Sequence, residues 1–425
     1  MDILPTLVLG NVTLQAGRVV DITLAGGRVA HVGAGQGTPE YINCSGHLVV
    51  PAAIDMHVHM RGGTQSAKED WKSGSMSALA GGVTVVVDQP NTLPPIDTPQ
   101  RLGDRVCEAQ VNSLCNFAIN SSVTAKTPLE EMWRAGAMAF GETFFAPSSY
   151  GDAIGDASLS LAMDRIHAVD GLLTIHAEEV SETPDTGLLS HDHVRSPEGE
   201  LKAVKAVRRL NRKGCRLHFC HLSTKRSIDA ASGFVEVTPH HLFLSLEDFE
   251  NTDPFGKVNP PLRSEKERKQ LFSRWDRIDV IASDHAPHTK GEKSGNFSRA
   301  PSGIPGVETM MPLLLARVLD GKISLQSVIE KTSYKPAEVL GIQRAGFSVG
   351  DRADFAIYPK IPAPITTEML HSKCNWTPFE GHLSLFPVTV IMGGKIVYQD
   401  GEFFTPEPRW FPGKGLGKNT AITRP

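Results

Sequence analysis

Short apolar runs broken by glycine open the chain, L-V-L-G-N-V-T-L and V-V-D-I-T-L-A-G-G-R-V-A-H-V-G within residues 5–50. Runs of this length with glycines between them predict short strands joined by turns. The same texture returns at 347–402, in F-S-V-G-D-R-A-D-F-A-I-Y-P and V-T-V-I-M-G-G-K-I-V-Y-Q-D-G. The two ends of the chain are therefore expected to meet in one β-sandwich. Between them the pattern changes. Apolar runs predict strands before His57 and at Val83–Asp88, Phe117–Asn120, Met138–Glu142, Leu172–His176, Arg216–His221, Phe234–Thr238 and Asp279–Asp284. Helix-like stretches separate many of them, as at Glu69–Ala80, Leu159–Val169 and Glu198–Arg212. Near-continuous apolar strands alternating with helices predict a parallel sheet covered on both faces. Roughly eight such units over about 300 residues predict a (β/α)8 TIM-like barrel, active at the C-terminal ends of its strands. The expected division is a barrel over 51–346 and a composite sandwich from 1–50 plus 347–425. The tail after Phe411, rich in Gly, Lys, Thr and Pro, is expected to pack loosely or to reach a neighbouring subunit.

Composition narrows the function classes. A chain of 425 residues, 40% hydrophobic and 21% charged, is ordinary for a globular protein. Its net charge of −4 gives no electrostatic case for nucleic acid or an anionic membrane surface. The start, M-D-I-L-P-T-L-V-L-G, has no basic region or long apolar run, so no signal peptide and no membrane span are expected. The cysteines at 44, 107, 115, 215, 220 and 374 are scattered without C-x-x-C pairs, which fits reduced thiols in the cytoplasm.

The candidate chemistry sits in P-A-A-I-D-M-H-V-H-M-R-G at 51–62. Alternate side chains of a strand share a face, so His57 and His59 point the same way and form half of a metal site. Glu142, His176, His221 and Asp284 end or follow four further predicted strands. Four imidazoles and two carboxylates are the donors that two divalent first-row ions need; imidazole suits Zn, Fe, Ni and Mn to differing degrees, and zinc is the metal expected. A shared carboxylate would hold such ions about 3.5–4 Å apart. Glu142 lies among apolar residues in A-F-G-E-T-F-F, and a buried glutamate needs a cation. His221 is preferred to His218, which alternation places on the opposite face as a packed core residue. His240 and His241 are read as structural or as supports behind the ligands, and Cys220 as buried filler. Asp284, in S-D-H-A-P-H, can both bind an ion and accept a proton from water.

These segments resemble the cyclic-amide branch of the amidohydrolase superfamily, and dihydroorotases in particular. The match runs through D-M-H-V-H-M-R, K-E-D-W, A-G-G-V-T-V-V-V-D-Q-P-N-T, H-A-E, H-L-S-T, T-P-H-H-L, V-N-P-P-L-R, I-A-S-D-H-A-P-H, G-V-E-T, P-F-E-G and G-G-K-I-V-Y-Q-D-G. The resemblance implies His57, His59, His176, His221 and Asp284 as metal ligands, with Asp284 also the general acid and base. It implies that Arg61, Asn91 and His288 hold the substrate carboxylate, and that Asn259 and the Ser302–Gly303 turn contact the ring. Arginine's planar fork suits a carboxylate.

Three departures stand out. Most relatives bridge their ions with a carbamylated lysine, or in some bacterial dihydroorotases with an aspartate; here Glu142 aligns with the lysine. A glutamate there bridges without carbon dioxide, or leaves only one ion tightly held. The turn after Arg61 reads G-G-T instead of E-P-G, and 301–303 reads P-S-G instead of P-F-G. The last two bear on the substrate more than on the chemistry. The resemblance implies reversible conversion of dihydroorotate to N-carbamoyl-L-aspartate in pyrimidine biosynthesis. The alternatives are an allantoinase-, hydantoinase- or dihydropyrimidinase-like enzyme, or a silent scaffold homologue, which would be expected to have lost ligands. The partner expected is a small-molecule substrate, and a homo-oligomer or a complex with a pathway enzyme stays open.

Overall fold

A computed structural model describes residues 6–14, 17–34, 40–145, 153–405 and 407–416. Eight parallel strands form its centre: Ala53–Val58, Val83–Asp88, Asn116–Ile119, Phe140–Phe144, Leu172–His176, Arg216–Phe219, Phe234–Val237 and Val280–Ile281. The first three pair in order, as do the last five. Bridges Ser121 to Phe140 and Val58 to His285 join the two groups and close the ring. The helices pack outside it, and one continuous apolar core, including Val58, Val86, Phe117, Phe140, Ile175, Phe219 and Ile281, runs between strands and helices. The expected (β/α)8 barrel is present.

Element ends follow local chemistry. The helix expected from Glu69 spans Trp71–Ala80, because Asp70 caps it by accepting from Ser73 N at 2.9 Å. The strands expected to reach His221 and Asp284 stop at Phe219 and Ile281. Past each stop the backbone turns, and His221 and Asp284 adopt φ of 34° and 46°. The ladder therefore ends just where the chain must turn a functional side chain inward.

The two chain ends meet as expected. Leu7–Thr13, Val19–Ala25, Arg28–Gly33 and Tyr41–Asn43 form one sheet. His47–Pro51 from the N-terminal part joins Phe355–Pro359, Thr389–Met392, Lys395–Gln399 and Glu402–Phe403 in a second. Leu9, Ile22 and Leu24 of the first pack on Val49, Phe355, Ile357 and Ile391 of the second. Within the stretch assigned to the sandwich, Ile365, Cys374, Trp376 and Phe379 pack instead on Leu244, Val258, Leu262, Ile304 and Leu313, beside the barrel's C-terminal loops. The tail after Phe411 is not loose over its described residues 412–416, where Gly413 N donates to Gly136 O at 2.9 Å and Lys414 Nζ lies 3.2 Å from Asp170 Oδ2, and the segment leading into it is held as well. Phe117 N donates to Arg409 O at 3.0 Å and Phe411 N to Phe117 O at 2.8 Å. The neighbouring strand first bridges at Ser121, so these groups of Phe117 would otherwise lack partners in a buried sheet. Residues 417–425 lie outside the described part. Among the described residues no helix is long and apolar enough to cross a membrane.

Candidate metal centre and substrate cleft

All six expected ligands converge at the C-terminal rim of the barrel, and all are buried. His59 Nε2 lies 3.1 Å and His57 Nε2 3.5 Å from Asp284 Oδ1. His176 Nδ1, His221 Nε2 and Glu142 Oε1 form a triangle with sides of 3.0, 3.2 and 2.9 Å. The other oxygen, Glu142 Oε2, reaches to 3.6 Å from His57 Nε2. Glu142 thus turns one oxygen toward each group of imidazoles.

These distances fit metal ions better than hydrogen bonds. As hydrogen bonds they would need both rings to present N–H groups to Glu142 Oε1, which leaves the 3.2 Å contact between His176 Nδ1 and His221 Nε2 without an acceptor. Tetrahedral zinc with Zn–N near 2.0–2.1 Å puts neighbouring donors about 3.3 Å apart. His57 Nε2 has no hydrogen-bond partner among the described residues although its ring is fully buried. The field points the same way. Burial alone would lower the His57 pKa, but the carboxylates of Glu236, Asp284 and Glu142 outweigh it and raise it well above the usual value. Burial disfavours ionised Glu142 and Asp284, yet the surrounding histidines hold both below the usual carboxylate range. The rim is an acidic pocket that seeks a cation.

Groups behind the ligands fix which ring nitrogen faces inward. Fully buried Glu236 accepts from His57 Nδ1 at 3.0 Å, His218 Nε2 at 2.8 Å and the His221 amide at 2.9 Å. Asn91 Oδ1 accepts from His59 Nδ1 at 2.7 Å, which leaves the Asn91 amide protons for another partner. Glu178 Oε2 lies 2.5 Å from both His176 Nε2 and Arg195 Nη1. Met60 N donates to Asp88 at 2.9 Å, and Arg105 pairs with the same carboxylate, which anchors the segment carrying His59 and Arg61. Arg61, His221 and Asp284 all have positive φ. Such backbone is uncommon outside glycine and clusters at functional sites.

A cleft of about 470 Å³, counted to its open mouth, lies over the rim. His59, Arg61, Asn91, Glu142, His176, Arg195, Asn259, Asp284, Ser302 and Gly303 are among its lining. His288 stands behind Arg61, with Nε2 3.5 Å from Arg61 Nη2 and Nδ1 3.2 Å from Lys68 Nζ. Burial, then the cations of Arg61, Lys68 and Lys293, push its pKa far down and keep the ring neutral. The carbonyl oxygen Asn259 Oδ1 is buried and has no partner among the described residues. At Gly303, with φ of 146°, a Cβ would fall 2.4 Å from Ala286 O, so only glycine fits the turn.

Sequence reasoning missed Glu236, Glu178, Arg195 and Lys68. Glu236 had a usable signal, an acid inside the apolar run F-V-E-V. Arg195 comes from a loop and had none. His218 is buried as expected, but as a partner of Glu236. His241 bonds Thr238 and Pro260, in keeping with a supporting place. Cys220 lies in a group with His57 and Glu236 whose donor atoms are all within 4.8 Å of one another. Burial pushes its thiol up to about 12, so it stays neutral.

The fold and this rim define a (β/α)8-barrel protein with a candidate two-ion centre. The chain belongs to the amidohydrolase family, whose model matches residues 48–397. Enzymes of that family typically depend on divalent metal ions. The chain is 40% identical over 410 residues to a dihydroorotase of Halobacterium salinarum, covering 93% of this chain and 97% of that one. It is 38% identical over 436 residues to a dihydroorotase of Methanosarcina acetivorans, covering 95% and 93%. Among solved structures, the L-hydantoinase of Arthrobacter aurescens superposes with a TM-score of 0.91 at 24% identity, over 96% of this chain and all of that one. That likeness is one of fold.

Proposed function

We propose that the protein is a cyclic amidohydrolase that interconverts dihydroorotate and N-carbamoyl-L-aspartate in pyrimidine biosynthesis, with zinc in its rim. The observation that carries this reading is that Arg61 and Asn91 line the cleft beside the candidate ion centre, with His288 behind Arg61. Arg61 brings a charged planar fork and Asn91 its spare amide protons. Neutral His288 accepts from one neighbouring cation while its remaining N–H serves as a donor. Together they suit a carboxylate one or two bonds from a ring amide. Dihydropyrimidines and simple hydantoins lack that group.

His57, His59, Glu142, His176, His221 and Asp284 would hold the ions, and Glu142 would share its two oxygens between them. When bound, the ions supply Lewis acidity toward the scissile carbonyl and the attacking water. Asp284 takes the proton of that water and returns it to the ring nitrogen that leaves, a general base turned general acid. Asn259 Oδ1 accepts from a ring N–H, and the Ser302–Gly303 turn closes over the ring. The barrel over 51–346 carries the chemistry, and 1–50 plus 347–425 brace it. The reading places the enzyme in the cytoplasm, acting on a small molecule. The test is turnover of dihydroorotate by protein treated with chelator and then reloaded with zinc. Activity lost and then regained supports the reading, and turnover indifferent to both treatments refutes it.

A further inference from the structure

Lys293 ends the short helix Lys290–Lys293 in T-K-G-E-K, a stretch whose composition reads as solvent-facing. Its side chain is nevertheless fully buried. Nζ donates to Lys257 O at 3.0 Å, Pro301 O at 3.1 Å and Gly303 O at 3.2 Å. An ammonium has three donors, and these three neutral backbone oxygens use them all. The Trp376 ring lies 5.4 Å from Nζ, and Trp376 Nε1 donates to His288 O at 2.7 Å. Burying a cation without a carboxylate is costly. Burial, and then the charge of Lys257, push this one down to about 7. A methionine would fill the same space without that cost, so the three carbonyls are the reason for the amine.

Those carbonyls belong to two segments of one cleft. Pro301 and Gly303 bracket Ser302, and Lys257 precedes Val258 and Asn259. Val258, Asn259, Ser302 and Gly303 all line the cleft. Gly303 N also donates to Lys257 O at 3.0 Å, so the two segments already touch, and the ammonium fixes their spacing. None of the six candidate ion ligands bonds to Lys293. We propose that Lys293 is a positioning residue for the substrate ring, pinning the 257–259 and 301–303 segments at the distance the ring requires. The inference rests on the cyclic-amide reading and adds to it a residue that touches neither ring nor ions.

Lys293→Met keeps the length and the apolar stem, takes this donor from Pro301 O and Gly303 O, and leaves Lys257 O with Gly303 N alone. In metal-replete protein KM for dihydroorotate should rise about tenfold or more, with kcat within about threefold of the parent. Bound metal per chain should not change, and faster amide exchange should be confined to peptides covering 257–260 and 301–304. A merely structural role would lower the melting temperature and leave KM alone. Folded Lys293→Met with an unchanged KM overturns the inference. Should Lys293→Met not fold, Lys293→Gln, which keeps two donors, should still raise KM about threefold or more, and an unchanged KM there overturns the inference equally. A parent protein that does not turn over dihydroorotate would overturn the reading of function instead, and the exchange pattern would still decide whether Lys293 pins the two segments.

Discussion

Replacing Glu236 by glutamine turns one buried carboxylate into an amide of the same shape. Oε1 faces two donors, His57 Nδ1 and the His221 amide, so the amide oxygen must take that place. The new NH2 then faces His218, whose Nδ1 has no partner among the described residues, so that ring can change tautomer to accept it. The contacts survive and the charge is lost. Charge-assisted hydrogen bonds contribute about 1.5–3 kcal/mol and neutral ones about 0.5–1.5. Three weakened bonds, partly offset by the lower cost of burying an amide, forfeit roughly 1–3 kcal/mol of the preference for inward-facing His57 Nε2. At about 1.4 kcal/mol per factor of ten, zinc should bind about 5–150-fold more weakly, in line with the roughly 10–100-fold typical of such supporting partners. Competition against a chromophoric chelator measures this directly. The melting temperature of metal-free protein serves as the control for folding. Folded Glu236→Gln that binds zinc within about threefold of the parent would refute the argument that Glu236 orients the ligands.

Other substitutions test other parts. Asp284→Asn should lower kcat by about 10²–10⁴, the usual worth of a general acid–base group, and near-normal turnover in metal-replete protein would remove Asp284 from the chemistry. Glu142→Ala should lower bound metal per chain, and activity of the parent should not respond to bicarbonate; unchanged metal by elemental analysis would rule Glu142 out as a ligand. Phe355→Ala should cost about 3–5 kcal/mol in denaturant unfolding, because its fully buried ring joins the two chain ends in one core. A loss under about 1 kcal/mol would show that this core contributes little to holding the sandwich together.

Much of this was legible because barrel strands are buried on both faces. Runs such as V-T-V-V-V-D and L-L-T-I-H have few other readings, and a histidine or acid closing one has nowhere to point but the rim. The structure accordingly gathers His57, His59, Glu142, His176, His221 and Asp284 within a few ångströms of one another. Contacts between distant segments were not legible. Glu236 takes its meaning from His57 and His221, 179 and 15 positions away. Arg195 faces the cleft because Glu178 holds it there. The docking of Trp376 beside His288 leaves no periodic trace. Lys293 is the sharpest case, since burial of a lysine in a charged stretch follows from three backbone oxygens whose positions no local pattern encodes.

The most direct test of the central claim compares kcat/KM of metal-replete protein for dihydroorotate and for dihydrouracil, the same ring without its carboxylate. Two or more charged hydrogen bonds at roughly 1.5–3 kcal/mol each predict a preference for dihydroorotate of at least about a hundredfold. Equal turnover, or a preference for dihydrouracil, would contradict the assignment of Arg61, Asn91 and His288 to a substrate carboxylate.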